Sequence, residues 1–340
     1  MLCVNNPAST LEWGKTVKVL ITGGGGFIGS HVVDYALSLG HTVTIVDNFQ
    51  SGRDHWLGKS TRPEIALVDI LDRNALLAVF QKCKPEAVFH LAAYHYIPFC
   101  EAHPRAAYDL NVGGTLNVLN VASTTDVGRM FFASTADVYA PSPRPHMEDD
   151  AIGPFTVYGK SKLTGEALCR DAANWAWKTD FLIGRLFNAV GIRETNPHLV
   201  PEIVAQIAKG VSTLRLGNLF PTRDFVDVPS QARAIVDATL AVHGIETVNI
   251  GSGVSIRVGE MVDMILAEAG RRINVVIDPG KVRAAERSNL CGTTNRLENL
   301  IGYAPEPAGP VLIRAILSEA RQKSISSLGT AEEQSVCRQD

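Results

Sequence analysis

The sequence predicts an α/β fold: a doubly wound parallel sheet followed by a smaller α+β region. Two observations predict it. Short apolar segments alternate with helical segments over the first half of the chain, and four consecutive glycines join the first strand to the first helix. Strand–helix alternation with short connections favours right-handed βαβ units. After residue 186, loops that carry Gly and Pro separate shorter elements, which indicates a change of architecture there.

The elements follow from local pattern. Val17–Ile21 is short, β-branched and ended by glycines, as expected of a buried parallel strand. Phe27–Leu39 has helical spacing and stops at Gly40, a favourable residue after a helix. The same arguments predict further strands at Thr42–Val46, Ile65–Val68, Ala87–Leu91, Met130–Ala133, Phe181–Leu186 and Thr247–Ile250. They predict further helices at Arg73–Lys84, Pro104–Ser123, Tyr158–Trp177, Val200–Lys209, Pro229–Val242 and Val258–Ala269.

Composition excludes several classes of protein. Of 340 residues, 46% are hydrophobic and 20% charged, which is enough to bury a core and excludes a wholly disordered chain. Lys+Arg 32 against Asp+Glu 35 gives a net charge of −3, without the basic footprint of a nucleic-acid partner. No apolar run approaches the ~18–20 residues that span a bilayer. The start lacks an export pattern and the six cysteines are scattered, so we expect a cytoplasmic protein with reduced thiols.

The glycine run has the spacing of a dinucleotide site. Gly23, Gly26 and Gly29 lie between the first strand and the first helix, where a pyrophosphate needs a tight turn, close backbone approach and a helix N-terminus. Asp47 closes the second strand, where a carboxylate binds ribose hydroxyls and repels a 2′-phosphate. The pattern therefore predicts NAD rather than NADP, although Arg53 is a nearby cation that would suit a phosphate.

A tyrosine and a lysine share one face of the helix that starts near residue 158. Tyr158 and Lys162 are separated by one helical turn. A phenol has a pKa near 10 and is a poor base at neutral pH. An ammonium one turn away, together with an oxidised nicotinamide, would favour the phenolate and lower that pKa. Tyr158 could then take a hydroxyl proton while hydride leaves for the cofactor.

Taken together, these motifs resemble the extended short-chain dehydrogenase/reductases, in the branch of nucleotide-sugar epimerases and dehydratases. The resemblance covers about residues 17 to 320. It is carried by motifs in the order typical of that branch: Thr22–Ile28, His90–Ala93, Asn111–Thr115, Ser134–Tyr139, Tyr158-x-x-x-Lys162, Arg185–Gly191, Arg223–Val226 and Asn249–Gly253.

The resemblance implies a division of the chain. Residues 17–186 would form an NAD-binding Rossmann domain, onto which about 229–250 packs back. Residues 187–323 would mainly form a smaller α+β substrate-binding domain. Residues 1–16 would be an N-terminal extension and 324–340 a polar tail. The helices at 104–123 and 158–177 resemble the branch's four-helix dimer interface, which implies a homodimer.

The resemblance also implies roles for individual residues. Thr135, Tyr158 and Lys162 would be catalytic, with Thr135 hydrogen-bonding the reacting sugar hydroxyl. The cofactor would contact Gly23, Gly26, Phe27, Ile28, Gly29, Asp47, Asn48, Asp69, Ile70, Leu91, Ala92, Ala93, Asn111, Ser134, Tyr158 and Lys162. A nucleotide-diphosphate sugar would contact Thr135, Asn188, Arg223 and Arg287, and the predicted substrate contacts also include His95, His198 and Leu199. A guanidinium suits a diphosphate, although Arg223 could instead pair with Asp224 or Asp227.

Residues that differ from the motifs of the branch limit which reactions the protein is expected to catalyse. Dehydratases carry Asp-Glu directly after the catalytic Thr, whereas this chain has Ala136 and Asp137. Ala136 has no proton to donate, which disfavours dehydration. Asp137 is either an acid/base group or a loop carboxylate. The leading interpretation is C4 epimerisation of a nucleotide hexose or uronic acid through a 4-keto intermediate, with decarboxylation or atypical dehydration as the alternative.

Two histidines are unusual for the branch. His95 lies in an aromatic segment after the fourth strand, and His198 stands where many epimerases carry Asn. Each either contacts the sugar or is a packed or solvated side chain. No His, Asp and Glu residues have metal-ligand spacing along the sequence, so no metal is expected.

Overall fold

The structure is a computed structural model that describes residues 16–57, 62–174, 178–282 and 287–322. Its centre is a parallel sheet of seven strands, here numbered with all others in chain order. They are β1 (Lys18–Thr22), β2 (Thr42–Asp47), β3 (Glu64–Leu67), β4 (Ala87–His90), β5 (Arg129–Thr135), β6 (Asp180–Leu186) and β11 (Ile245–Ile250). The strand order is β11-β6-β5-β4-β1-β2-β3. The predicted doubly wound α/β fold is therefore confirmed.

Helices cover both faces of the sheet. They are α1 (Phe27–Ser38), α2 (Arg73–Cys83), α3 (Ile97–Ala102), α4 (Pro104–Tyr108), α5 (Thr115–Ala122), α6 (Val157–Ala173) and α8 (Val228–Ala241). The helix predicted over 104–123 is divided, because a π-helical turn at Asp109–Gly114 separates α4 from α5. The predicted end of α6 at Trp177 lies outside the described residues.

A second group of short elements follows β6. It contains the strands β7 (Asn188–Val190), β8 (Thr213–Leu216), β9 (Thr222–Arg223), β10 (Phe225–Asp227), β12 (Ile256–Arg257), β13 (Asn274–Ile277) and β14 (Asn289–Leu290). Its helices are α7 (Leu199–Ala208), α9 (Val258–Ala269), α10 (Asn295–Ile301) and α11 (310–322). Three small sheets pair these strands. A separate apolar core lies between α7, α9 and α11, with Ile203, Ile265 and Ile313 fully buried.

The chain returns to the main sheet between these short elements. Helix α8 packs against α1, and β11 pairs in parallel with β6. The sequence boundaries of two domains remain a proposal, and most of the extension at 1–16 and all of the tail at 324–340 lie outside the described residues. None of the described helices combines the length and apolar character needed to cross a membrane.

A buried carboxylate fixes α6 to the sheet. Glu166 is fully buried and accepts hydrogen bonds from Ser134 Oγ at 2.6 Å and from Arg185 Nε and Nη2, both at 2.9 Å. Arg170, one turn further along α6, donates to the same carboxylate at 3.1 Å. These hydrogen bonds tie α6 to β5 and β6, and the paired guanidinium keeps the pKa of Glu166 below its usual range despite burial. We call this set of side chains the Glu166 clamp.

The Glu166 clamp predicts a large stability effect. The change Glu166→Gln removes the negative charge and leaves Arg185 buried without its partner, which costs about 3–5 kcal/mol of unfolding free energy. Urea unfolding followed by circular dichroism measures the loss. The matched control is Glu268→Gln, which breaks an ion pair with Arg314 near the surface and should change the unfolding midpoint little. Equal midpoints for the two variants would contradict the role assigned to the clamp.

Candidate active site

One cavity of about 750 Å³ runs along the carboxyl ends of the central strands and on to the short elements after β6. Ligands of open α/β sheets bind at this edge. The cavity is lined by most of the residues singled out from the sequence: Gly23, Gly26, Phe27, Ile28, Gly29, Asp47, Asn48, Asp69, Ile70, Leu91, Ala92, Ala93, His95, Ser134, Thr135, Tyr158, Lys162, Asn188, His198, Leu199 and Arg223.

The glycine turn has the geometry that a pyrophosphate requires. Gly23 has φ 73°, in the region that favours glycine, and its carbonyl accepts from the Gly26 amide at 3.0 Å. A Cβ on Gly29 would lie 2.1 Å from the Gly23 oxygen, so the start of α1 packs against the turn only as glycine. Gly26 is the N-cap of α1, and no side-chain cap covers the first amides of the helix. These features fit a dinucleotide cofactor.

Asp47 and Asn48 close the second strand beside the turn. The Asp47 carboxylate accepts from the Gly25 amide at 2.9 Å and from the Phe49 amide at 2.7 Å. Burial raises the pKa of Asp47, and these two amide bonds oppose the rise. Asn48 Nδ2 donates to Asp69 at 3.0 Å. Both side chains thus face the cavity where a ribose and an adenine would lie in the arrangement predicted from the sequence.

Thr135 and Tyr158 lie together at the end of β5. Thr135 is the last residue of the strand, and its Oγ1 accepts from the Asp137 amide at 3.2 Å. Tyr158 and Thr135 both line the cavity, with their side chains close enough to interact. Burial, and secondly the Asp137 carboxylate, raise the pKa of Tyr158 above the ordinary value of a phenol. The lowered pKa expected from the sequence is therefore not produced by the side chains of the protein.

Lys162 lies one turn further along α6, in contact with the sheet. Its side chain is 2% exposed, and Nζ lies 5.0 Å from the centre of the Phe132 ring. Burial lowers the pKa of Lys162 to about 8, because desolvation disfavours the ammonium form. Lys162 lines the cavity, where it is available to a ribose hydroxyl.

Two of the residues predicted to contact the cofactor hydrogen-bond other residues of the protein through their side chains. Asn111 is buried in the π-helical turn; its Nδ2 donates to Tyr94 O and Ser161 Oγ, both at 2.9 Å. It therefore ties the segment after β4 to α6 and does not reach the cavity wall. Ser134 lines the cavity, but its hydroxyl donates to Glu166 in the clamp.

Arg223 and Arg287 have different positions. Arg223 lines the cavity and donates to the carbonyls of Thr222 and Arg287. The two carboxylates considered as its partners from the sequence accept from other groups: Asp224 from Ser252 and Gly253, and Asp227 from Ser230.

Arg287 does not line the cavity, although the sequence predicted a substrate contact. It is 4% exposed, its Nη2 donates to Asp137 O at 2.9 Å, and Nε lies 3.5 Å from Asp137 Oδ1. Its guanidinium also stacks on Phe155, with Cζ 4.6 Å from the ring centre. The nearby carboxylate therefore engages the side chain that a diphosphate was expected to use.

Comparison with known proteins agrees with this geometry. The family model described as "NAD dependent epimerase/dehydratase family" matches residues 19–251. The chain belongs to this family. The "UDP-glucose 4-epimerase 2" of Oryza sativa subsp. japonica is 30% identical over 304 residues, which cover 80% of this chain and 74% of the relative.

Solved structures of family members superimpose on most of the chain. The UDP-glucose 4-epimerase of Thermotoga maritima with UDP-glucose gives a TM-score of 0.83 at 25% identity, and covers 90% of this chain and 99% of the other. The Brucella ovis enzyme in complex with NAD gives 0.81 at 27% identity, and covers 89% and 98%. The resemblance inferred from the motifs is thereby confirmed.

In this epimerase/dehydratase family member, the wall of the cavity also contains a group of three side chains whose proximity the sequence did not reveal. His95 and His198 have ring centres 5.8 Å apart, and Glu194 lies beside them. Burial lowers the pKa of His95 to about 4 and raises that of Glu194 to about 7. Both shifts disfavour charge, so this part of the cavity is poorly solvated.

Two further residues of the site could have been found from the sequence. Glu166 follows Lys162 by four residues, as Lys162 follows Tyr158, so that all three occupy one face of α6. Arg185 lies at the end of β6, in one of the motifs that indicated the family. A glutamate and an arginine that both occupy predicted buried positions indicate a buried ion pair.

Proposed function

We propose that this protein is an NAD-dependent nucleotide-sugar epimerase that inverts C4 of a nucleotide hexose or uronic acid. One observation supports this above the others: the neighbouring side chains of Thr135 and Tyr158 share a cavity with the glycine turn. Lys162 completes the set in the same cavity. Relatives named as UDP-glucose 4-epimerases make UDP-sugars the first substrates to test.

The residues of the protein have separate tasks in this proposal. Bound NAD supplies a hydride acceptor and the positive charge of its nicotinamide ring. The glycine turn and Asp47 hold the cofactor, and Lys162 binds its ribose. Tyr158 takes the proton of the C4 hydroxyl, and Thr135 orients that hydroxyl by a hydrogen bond. Tyr158 returns the proton after the keto sugar has turned over, so that acid and base are the same side chain.

The substrate diphosphate would lie at the end of the cavity that is lined by residues from the elements following β6. Arg223 supplies a guanidinium there, and Asn188, His198 and Leu199 line the same wall. Arg223 already donates to two backbone carbonyls through Nη1. These bonds orient the planar guanidinium, which suits a doubly charged oxygen ligand.

The contacts of Asp137 favour epimerisation over its alternatives. Dehydration and decarboxylation would use a free acid/base group next to Thr135. Asp137 is instead engaged by Arg287, and its amide is held by Thr135. Ala136, which is buried, supplies no proton. A set of Thr135, Tyr158 and Lys162 is sufficient for hydride removal and return at C4.

We also propose that the enzyme is a cytoplasmic homodimer. Tyr108, Val112 and Leu116 form a partly exposed apolar stripe along the helices before β5, where the family resemblance implies a four-helix interface. Cys83, Cys100, Cys169 and Cys291 are free thiols, which suits a reducing compartment. Light scattering should give twice the mass of the chain; a monomer, or fractionation away from the cytoplasm, would contradict the proposal.

The reaction itself is tested with a panel of UDP-, dTDP-, GDP- and CDP-sugars, followed by mass spectrometry and NMR. We expect a product of unchanged mass with inverted C4. The Tyr158→Phe variant should lose activity by about 10²–10⁴-fold, because it lacks the proton acceptor. The control Tyr108→Phe removes a hydroxyl outside the cavity and should retain the parent rate. Loss of water or carbon dioxide from the substrate would show the alternative reaction.

The pH profile tests the role of Asp137. Its carboxylate raises the pKa of Tyr158, and activity requires the deprotonated phenol. The rate therefore rises with pH through that pKa. Asp137→Asn removes the negative charge, lowers the pKa of Tyr158 and shifts the acid limb of kcat/KM to lower pH. Asp137→Glu keeps the negative charge, so the acid limb of its kcat/KM profile should stay at the pH of the parent. If Asp137→Asn instead abolished the rate at every pH, Asp137 would be an acid/base group.

A further inference from the structure

Three side chains with metal-binding atoms meet in the wall of the cavity. One ligand atom each of His95, Glu194 and His198 lies within 4.8 Å of the other two. They come from two segments: the one between β4 and α3, and the one between β7 and α7. All three line the cavity. We call them the His–Glu–His cluster.

Among the described residues, no lysine or arginine side chain pairs with the carboxylate of the cluster. Glu194 accepts from the Asn196 amide at 3.0 Å, and within the described chain the other groups that stabilise its charge are likewise amides. The adjacent Arg193 is directed to Asp34, at 2.7 Å. A partly buried carboxylate facing two imidazoles has the surroundings that a bound cation would complete.

We propose that His95, Glu194 and His198 bind one divalent transition-metal ion, and that Zn²⁺ suits them best. Two imidazoles and one carboxylate are a known ligand set of zinc sites that keep a position open to a further ligand. Nitrogen and oxygen ligands favour Zn²⁺ over the hard cations Mg²⁺ and Ca²⁺, which prefer oxygen alone. The open position would face the cavity, where an oxygen atom of a bound molecule can occupy it.

The geometry requires only small movements. With metal bonds of about 2.1 Å, two ligands of a tetrahedral ion lie about 3.4 Å apart. Because the ligand atoms lie no more than 4.8 Å apart, each pair contracts by at most about 1.4 Å, within reach of side-chain rotations in two loops. The side-chain amide of Asn196 contacts His95 Nε2 at 3.0 Å; with its oxygen turned to the ring, the amide would accept from Nε2–H and leave Nδ1 to bind the ion. His198 packs edge-on against Tyr96, with ring centres 5.6 Å apart. Such outer contacts hold metal-binding rings in place.

The test uses the full-length protein without an affinity tag, stripped of metal by a chelator and titrated with Co²⁺ alone. We expect one ion per chain, with visible absorption bands of a four- or five-coordinate site and displacement by Zn²⁺. His198→Gln and Glu194→Gln should each weaken binding by more than about tenfold. The matched controls His55→Gln and Glu268→Gln change residues outside the cavity and should bind as the parent does. Unfolding midpoints verify that every variant is folded.

Three outcomes would overturn the proposal. The first is no stoichiometric binding of Co²⁺ or Zn²⁺ by the parent. The second is equal affinity in the cluster variants and the controls. The third is an intense near-ultraviolet band of a cobalt–thiolate bond, which would place the ion on a cysteine. Because metal binding is measured without substrate, a failure here leaves the proposed epimerase activity standing, and a failure of the epimerase assay leaves the metal site to be judged separately.

Discussion

The Glu166 clamp is the interaction on which the rest of the site depends. Tyr158, Lys162 and Glu166 occupy one face of α6, so a carboxylate that fixes the third also fixes the other two. Its partners are Ser134 and Arg185, which lie at the carboxyl ends of β5 and β6. The strand that ends in Thr135 is thus bound to the helix that carries Tyr158. Without this buried ion pair, fewer polar contacts would hold Tyr158 beside Thr135, and the bond from Asn111 to Ser161 of α6 would be among those that remain.

The same arrangement explains why the phenol is not activated by the protein itself. Lys162 is desolvated against Phe132, which lowers its own pKa to about 8 and weakens it as a fixed positive charge. Asp137 acts in the opposite direction, because its negative charge raises the pKa of Tyr158. Arg287 offsets part of that charge through its contact with Asp137. In the proposed reaction, the positive charge that lowers the pKa of Tyr158 is therefore that of the oxidised nicotinamide.

Local pattern predicted the strands of the main sheet, the glycine turn and the long helix of Tyr158, because each is coded within a short window. The two-residue strands β9, β12 and β14 were missed, since their pairing joins residues far apart in the chain. The same limit applies to side chains. Asn111 binds Tyr94 and Ser161, and Arg287 binds Asp137, through contacts across 17 to 150 residues of sequence. The family resemblance predicted that these residues lie near the cofactor or the substrate, but it did not predict their hydrogen-bond partners.

The two ends of the cavity differ in how far their residues can be substituted without disturbing the structure. At the glycine turn, a Cβ on Gly23 would meet the Ala92 backbone at 2.7 Å, so the cofactor end tolerates little change of residue. At the other end, His95, Glu194 and His198 come from loops, where side chains can vary without disturbing the sheet. Hydride transfer to the cofactor is the same step for every sugar, so it requires the same residues at the glycine turn. Selection among sugars requires different side chains at the other end of the cavity. His95 and His198, which depart from the pattern of the branch, lie in these loops, so the departures fall at the end proposed for the substrate and the glycine turn at the end proposed for the cofactor.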